Sequence, residues 1–267
     1  MLPRNTRPFG LAAIVWWLAA ALLVLPRLVL AGCAPIALTP PKIWVAATAD
    51  PALAITFLGH ASFLLETPAG IRAVTDYSGA FAPAEPPDLV TMNHAHSSHY
   101  TMVPDARIRY VLHGWQEGPR PPAHDVRVGD LHVTNLPTNI RDWNGGTEVN
   151  GNSVFIFESA GLCVAHLGHL HHLLDAADLD LLGRIDVLMV AVDGGYTLSQ
   201  TDARTVIDQI HPRVVLPMHF FTRDRLLSFL AMMRDGFEVQ VQESPMVVLS
   251  RATLPERPTV IVLPGPH

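Results

Sequence analysis

Three histidines lie close together directly after a short apolar run, Leu89 to Met92, that has the pattern of a buried strand. In an extended chain every second side chain points to the same face, so we expect His94 and His96 on one side just beyond the strand. The two serines before His99 are good helix N-caps, which would place His99 in the first turn of a following helix. Neutral imidazole is the commonest protein ligand for zinc, and the spacing therefore predicts a metal site.

A second group of histidines follows another apolar run, Leu162 to Ala165. It contains His166, His169, His171 and His172, and both metal binding and an ordinary polar loop are compatible with it. Farther on, a strand, a helix and a second strand end at His219. Ligands gather at the carboxyl ends of such strands, so this histidine is a further candidate.

The order of these motifs resembles the metallo-β-lactamase superfamily, in particular its L-ascorbate-6-phosphate lactonase-like branch. The residues from His94 to His99 resemble the signature H-x-H-x-D-H, with Ser98 in place of its aspartate. Leu58 to Phe63 reads L-G-H-A-S-F, as is common in that branch. The segment from His166 to His172 is similar to H-L-G-D-L-G-H, with His169 in place of the aspartate that bridges two metals. Asp193-Gly194-Gly195-Tyr196 and the P-M-H that ends at His219 complete the series.

The resemblance covers roughly Leu53 to Leu249 and implies the fold, the chemistry and the site. The fold would be an α/β four-layer αββα sandwich with a metal cleft along one edge of its two sheets. The usual reaction is hydrolysis of an ester, lactone, phosphodiester or amide, in which a metal activates water. The implied metal ligands are His94, His96, His99, His169 and His219.

The resemblance also implies roles for residues of the cleft that do not bind the metal. His60 would be a catalytic residue at the edge of the cleft, and Asp76 would support the metal loop from behind the ligands. Asp142, Asp193 or an unused histidine would serve as base, although Asp193 is favoured as a cap of the following helix. Arg141, Asp142 and Trp143 either bind an anionic or planar substrate or form an ordinary loop.

The substitutions at the metal motifs predict one zinc ion per chain. A neutral imidazole has one free lone pair, so His169 cannot bridge two ions as a carboxylate does. Asn139 stands where the family has a further histidine, and Ser98 where it has an aspartate. We therefore expect His169 to hold one Zn²⁺ with either the His94/His96 pair or the His99/His219 pair.

The N-terminal residues have the pattern of a bacterial export signal. Two arginines precede an apolar stretch from Phe9 to Leu25, and Leu30 to Cys33 resembles a lipobox, so residues 1–33 are expected to be a signal peptide ending at a lipidated Cys33. An uncleaved N-terminal anchor helix is the alternative. Residues 34–52 would be a linker, and residues 53–267 the hydrolase-like domain. The protein would then be exported and membrane-anchored through a lipid or helix, on the periplasmic side of the bacterial cell envelope.

Composition restricts the remaining possibilities. A chain of 267 residues with 49% hydrophobic residues can bury one large core, or a core plus a membrane segment. The formal charge of −6 comes without a basic face, which argues against nucleic acid as a partner. With Cys33 acylated, Cys163 is expected to be an unpaired buried thiol, and the tail from Pro255 to be peripheral.

Two functions follow from these features. The first is a membrane-tethered metal-dependent hydrolase for a small-molecule or lipid-like substrate. The second is a non-catalytic metal- or ligand-binding module on the same fold, since the carboxylates of the family's metal site are replaced by Ser98 and His169. Metal-dependent turnover distinguishes the two.

Overall fold

A computed structural model describes residue 33, residues 50–142 and residues 144–266. The expected signal or anchor, most of the linker, and Trp143 lie outside the described residues. Among the described residues, no helix combines the length and the hydropathy that crossing a membrane requires.

The first sheet has six strands and is built mainly from the first half of the domain. Its strands are β1 (Leu53–Gly59), β2 (Ser62–Glu66), β3 (Arg72–Val74), β4 (Leu89–Met92), β5 (Tyr110–His113) and β13 (Met246–Leu249). Their spatial order is β13-β1-β2-β3-β4-β5, with β3, β4 and β5 parallel to one another. The antiparallel pair of β1 and β2 turns at His60, and β4 ends directly before the first histidine motif.

The second sheet has eight strands and carries the helices. Its strands are β6 (Asp125–Val128), β7 (Leu131–Arg141), β8 (Thr147–Ser159), β9 (Leu162–His166), β10 (Val187–Ala191), β11 (Val214–Met218), β12 (Glu238–Val241) and β14 (Thr259–Val262). The helices are α1 (Ala176–Leu182), α2 (Gln200–Ile210) and α3 (Arg223–Met233). The order is β12-β14-β11-β10-β9-β8-β7-β6, with β9, β10 and β11 parallel.

Two buried cores hold the layers together. Phe63 of the first sheet and Phe155 and Phe157 of the second belong to the core between the sheets. Val206 and Phe229 belong to a second core between the helices and the outer face of the eight-stranded sheet. These layers confirm the sandwich that the sequence implies. The outer face of the six-stranded sheet is covered, in the described part of the chain, by loop residues that include Tyr77, Ile108 and Trp115.

The C-terminal tail is not peripheral, and this expectation was wrong. Thr259–Val262 forms the buried strand β14, which is parallel to both β11 and β12. The chain then runs on to the edge of the first sheet, where the carbonyl of Pro266 accepts a 3.0 Å hydrogen bond from the backbone N–H of His60. A short apolar segment gives little periodicity, so its position in the middle of a sheet was not visible in the sequence.

Cys163 is not an unpaired thiol, since it forms a disulfide with Cys33. The carbonyl of Cys33 also accepts a hydrogen bond from the backbone N–H of Arg184, at 3.0 Å. A sulfur atom in a disulfide cannot also carry the thioether of a diacylglycerol. The disulfide and a lipidated Cys33 are therefore mutually exclusive states of the same atom.

Candidate metal centre

Four histidines from distant parts of the chain meet at one edge of the sandwich. They are His60, His96, His99 and His219, and one ring nitrogen from each lies within 4.8 Å of those of the others. The ring centroids of His60 and His219 are 4.3 Å apart, and those of His96 and His99 are 4.4 Å apart. Their segments follow β1, β4 and β11, so the ends of strands from both sheets build the group.

Two of the four imidazoles are held from behind by buried carboxylates. Nδ1 of His99 lies 2.6 Å from Oδ2 of Asp76, and Nδ1 of His219 donates to Oδ1 of Asp193 at 3.0 Å. Hydrogen bonds hold the pKa of Asp193 below its ordinary value, and an ionised carboxylate only accepts, so the proton lies on Nδ1 of His219 and its Nε2 keeps the lone pair. Burial raises the pKa of Asp76, so the contact between Asp76 and His99 fixes the orientation of the ring and not its tautomer. Both Nε2 atoms are buried and have no hydrogen-bond partner among the described residues. A histidine backed by a carboxylate, with its other nitrogen unpaired, is the arrangement of metal ligands in proteins.

Ser98, which replaces the aspartate of the family signature, links the other two imidazoles. Its hydroxyl lies 2.9 Å from Nε2 of His60 and 2.7 Å from Nδ1 of His96. The serine thus contributes no charge to the group, but it fixes the orientation of two rings. His60 was expected to be a catalytic residue at the edge of the cleft, and the structure places it inside the four-histidine group.

His169 lies against this group without belonging to its tightest part. Its ring centroid is 5.2 Å from that of His96, 5.1 Å from that of His99 and 5.2 Å from that of His219. Both of its ring nitrogens are buried and have no hydrogen-bond partner in the described part of the chain. The backbone N–H of His169 donates to Oδ1 of Asn152 at 2.8 Å, which fixes the turn after β9.

Burial keeps four of these imidazoles, those of His60, His96, His99 and His169, neutral at pH 7. Loss of solvent, followed by the proximity of the other imidazoles, lowers the pKa of His60 to about 3 and that of His169 to about 2. The same causes lower the pKa of His96 and, more strongly, that of His99. A protonated imidazole cannot bind a metal, so the neutral form is the one that ligation requires.

His94 is not part of the group, and the extended-chain reasoning that placed it beside His96 was wrong. The chain leaves β4 at Met92 and runs through bends and a turn, in which the N–H of His99 donates to the carbonyl of His96 at 2.8 Å. The alternation of an extended chain therefore does not apply, and the expected helix after the serines does not form. Nδ1 of His94 instead lies 2.8 Å from Oε1 of Glu148.

The two aspartates proposed as bases are occupied by structural hydrogen bonds. Asp193 accepts from the N–H groups of Gly195 and Tyr196 and from His219, whereas the N-cap of α2 is Ser199, so Asp193 is not that cap. Although burial raises the pKa of Asp193, hydrogen bonds from His219 and Thr197 outweigh it and hold the pKa below its ordinary value.

Asp142 closes its own turn. Its Oδ1 accepts from the N–H groups of Asn144 and Gly146, at 2.7 and 2.9 Å.

The other histidines of the second cluster stabilise loops. Nε2 of His166 donates to the carbonyl of Ala61 at 2.9 Å, and its Nδ1 accepts from Gly168. His171 and His172 both bond to the backbone of Asn139, at 3.2 Å in each case. Asn139, which stands where the family has a further histidine, is therefore hydrogen-bonded through its backbone to two imidazoles of another loop.

A cleft of about 990 Å³ opens beside the histidines. Tyr100, Tyr196 and Phe221 line it, and the ring of Phe221 lies 5.0 Å from that of His219. Besides Asp142, the charged residues Arg141 and Glu148 line the cleft.

Two features of the structure had little or no signal in the sequence. Glu148 carried none, because an acidic residue at the start of a long strand is common. The disulfide was signalled only by the even number of cysteines.

Comparison with known proteins gives a consistent result. A family model described as a β-lactamase superfamily domain matches residues 54–219. A metal-dependent hydrolase of Pyrococcus furiosus is 25% identical over 196 residues, which cover 63% of this chain and 84% of that protein. A solved structure from Thermotoga maritima, provisionally named a Zn-dependent hydrolase of the metallo-β-lactamase superfamily, is 29% identical with a TM-score of 0.57. The match covers 80% of this chain and all of that one. Igni18, a metallo hydrolase of Ignicoccus hospitalis, shares the fold at 20% identity and a TM-score of 0.54, over 74% of this chain and 99% of that one.

Proposed function

The chain belongs to the β-lactamase superfamily, and from that premise we propose that it is an exported, membrane-tethered, metal-dependent hydrolase of ester, lactone or phosphodiester bonds. The observation that carries this proposal is the group of four histidines whose ring nitrogens lie within 4.8 Å of one another. Relatives named metal-dependent hydrolases support the reaction class.

The residues present suit a metal ion. His99 and His219 each direct an unpaired, buried Nε2 inward, and His60 and His96 complete the group. A donor set of imidazole nitrogens alone favours zinc among the common biological ions. Three of these four nitrogens, with the fourth position left to water, suit a single catalytic ion. His169 stands beside this set with two unpaired nitrogens. When bound, zinc supplies an activated water and polarises the bond to be cleaved.

The chain's own residues prepare this chemistry in three ways. Asp193 fixes the tautomer of His219, and Asp76 fixes the ring orientation of His99, so both ligands are in place before anything binds. Burial keeps His60, His96, His99 and His169 neutral, as their lowered pKa values indicate. The half-exposed ring of Phe221 packs beside His219 at a centroid distance of 5.0 Å and shields one side of that imidazole.

The cleft favours a small-molecule or lipid-like substrate that combines an apolar part with a negative group. Tyr196 is 64% exposed and contacts Phe221 at a centroid distance of 5.7 Å, which gives an apolar wall at the mouth. The guanidinium of Arg141 lines the same cleft and has no ion pair among the described residues. A carboxylate or phosphate next to the scissile bond would find its counter-charge there.

Export is supported by the cysteine pair. Disulfides persist in oxidising compartments such as the periplasm and are rare in the cytosol, so the bond between Cys33 and Cys163 favours an exported domain. Of the two tethers that the sequence predicts, an N-terminal anchor helix is compatible with this bond. Lipidation of Cys33 requires the same sulfur and would leave Cys163 unpaired.

The experiment combines metal analysis with a panel of substrates. Protein purified without chelator is expected to contain one zinc per chain, and to hydrolyse at least one ester, lactone or phosphodiester of the panel. Chelation should abolish turnover and zinc should restore it. His219→Ala should lose the metal, whereas His132→Ala, a change at a histidine that bonds Asp125 far from the group, should keep it.

The non-catalytic binding module remains a second candidate for a specific reason. The two aspartates expected to act as a base are engaged elsewhere: Oδ1 of Asp142 accepts two backbone N–H groups, and both oxygens of Asp193 accept hydrogen bonds. A fully metallated protein that turns over no compound of the panel would favour this second function.

A further inference from the structure

The hairpin of β7 and β8 carries one wall of the cleft. Five residues near its turn line the cleft, and together we call them the hairpin wall: Ile140, Arg141, Asp142, Gly145 and Glu148. Among the described residues of this part, two pairs continue the strand ladder, Ile140 with Glu148 and Arg141 with Thr147. A ladder of two pairs gives little support, so other contacts must hold the hairpin wall in place.

The ladder is interrupted at Asn139. The residue before it pairs with Asn152 and the residue after it pairs with Glu148, so Asn139 alone faces three residues of β8. Its side chain spans the irregularity, since Oδ1 accepts from the backbone N–H of Asn150 at 3.0 Å. Asn150 has a left-handed backbone, with a φ of 54°. The backbone N–H and carbonyl of Asn139 therefore need partners outside β8.

Two histidines of the loop after β9 supply these partners. The N–H of Asn139 donates to Nε2 of His172 at 3.2 Å, so the proton of His172 lies on Nδ1, which donates to the carbonyl of Leu173 at 2.8 Å. The carbonyl of Asn139 accepts from Nδ1 of His171 at 3.2 Å. Both nitrogens of His172 are thus occupied by the backbone, which leaves this imidazole no lone pair for a metal.

The same loop connects the hairpin wall to the histidine group. His171 and His172 follow His169, whose backbone N–H donates to the side chain of Asn152 at 2.8 Å. The carbonyl of Leu170 accepts from the N–H of Leu198 at 3.1 Å, which fastens the loop on its other side. The bonds to Asn139 therefore fix the distance between the hairpin wall and the histidines, which is the width of the cleft.

Arg141 is the charged group of the hairpin wall that has no ion pair among the described residues. Oδ1 of Asp142 already accepts backbone N–H groups, and Oε1 of Glu148 lies 2.8 Å from Nδ1 of His94. A guanidinium in an open cleft presents several N–H donors in one plane, which suits a carboxylate or a phosphate.

We propose that the hairpin wall recognises the negative group of the substrate through Arg141, and that His171 and His172 are positioning residues that hold this wall by bonding Asn139. The two histidines neither bind the metal nor touch the substrate. This inference rests on the proposed function, because it assigns a part of the same cleft.

The first test asks whether the two histidines act on the wall or on the metal. Zinc content and the hydrogen exchange of the Asn139 amide are measured for wild type, His171→Ala, His172→Ala and, as the matched control, His132→Ala at the other end of β7. We expect equal zinc content in all four proteins. The Asn139 amide should exchange about tenfold faster in His172→Ala than in His132→Ala, because its acceptor is lost. A loss of zinc in either variant of the pair, or unchanged exchange in His172→Ala, would overturn the inference.

The second test asks what the wall recognises. The probes are the mono-para-nitroanilide of succinic acid and the para-nitroanilide of butyric acid, which have nearly the same shape and differ by one carboxylate. Calorimetry on the protein as purified should show the succinic probe bound about tenfold more tightly, and Arg141→Gln should lose this preference. Equal affinity of the wild type for both probes, or binding of neither, would refute recognition by Arg141.

Conservative variants test the positioning. His172→Ala should weaken binding of the succinic probe about fivefold, as expected for one lost hydrogen bond. His172→Gln, whose Oε1 can replace Nε2 as acceptor, should recover most of the loss. His171→Asn, whose amide can replace Nδ1 as donor, should likewise bind more tightly than His171→Ala. Full affinity in both alanine variants, or no recovery in the conservative ones, would show that these histidines do not position the wall.

The binding measurement also separates this inference from the proposed function. A wild type that prefers the succinic probe but hydrolyses nothing in a metal-dependent way would refute the proposed function and support the assignment of the wall. A metal-dependent hydrolase without this preference would refute the present inference alone.

Discussion

Replacement of Asp193 by asparagine isolates the contribution of one supporting carboxylate. Oδ2 of Asp193 accepts from the N–H groups of Gly195 and Tyr196 at 2.8 and 2.6 Å, while Oδ1 accepts from Nδ1 of His219 at 3.0 Å. Asparagine has the same shape but only one acceptor oxygen. In Asp193→Asn the amide NH₂ must therefore face either the backbone donors or the N–H of His219.

The expected losses follow from this conflict. Mutation of a hydrogen-bond partner behind a metal-binding histidine typically costs about 10–100-fold in metal affinity, which is about 1.4–2.7 kcal/mol. Asp193 is buried, so a donor left without an acceptor should also lower the free energy of unfolding of the metal-free protein by about 1–3 kcal/mol. Zinc affinity and stability should thus fall together.

Competition with a chromophoric chelator gives the zinc dissociation constant, and urea unfolding of the metal-free protein gives the stability. Asp142→Asn is the matched control, since Asp142 also accepts two backbone N–H groups but bonds no histidine of the group. Its zinc affinity should equal that of the wild type. Wild-type affinity in Asp193→Asn, or an equal loss in both variants, would refute the assignment of Asp193 as the support of His219.

Three further outcomes are expected. Chelation should lower the melting temperature, because zinc at about 100 times its dissociation constant stabilises the folded state by about 2.7 kcal/mol; an unchanged melting curve in thermal denaturation would contradict a metal bound to the native state. Cys33→Ser should lower the free energy of unfolding by about 2–5 kcal/mol, and the exported wild-type protein should show no free thiol in maleimide labelling; palmitate incorporated at Cys33 would instead establish the lipidated form. A chain that ends at Pro264 keeps β14 but loses the Pro266 carbonyl that bonds His60, so it should fold and bind zinc more weakly in the same competition assay, and wild-type affinity would show that the tail does not position His60.

Strongly patterned segments were predictable because their pattern is local. The apolar strands β9 and β10 and the helix α1 form where composition and periodicity indicate, since each depends on residues within a few positions of one another. The resemblance carried by L-G-H-A-S-F and the first histidine motif predicted the family and the sandwich, and both are confirmed. The sequence also indicated that Asp76 supports the histidines, and this carboxylate lies behind His99.

The directions of the side chains were decided by the tertiary structure. His94 and His96 are two residues apart, yet the turn after Met92 sends one to Glu148 and the other to the four-histidine group. Asp193 supports a histidine 26 residues away and does not cap the helix beside it. Cys33 pairs with Cys163 across 130 residues.

The sequence by itself determined the family, the layers of the fold and the set of histidines from which the site could be built. Only the folded chain decided which nitrogen atoms converge, because in turns the direction of a side chain follows from backbone dihedrals that no periodic pattern fixes. His60 shows this most clearly. Its backbone N–H is held by Pro266 from the opposite end of the domain, and its carbonyl by the N–H of His219, so its place among the histidines depends on contacts between segments that are far apart in the chain.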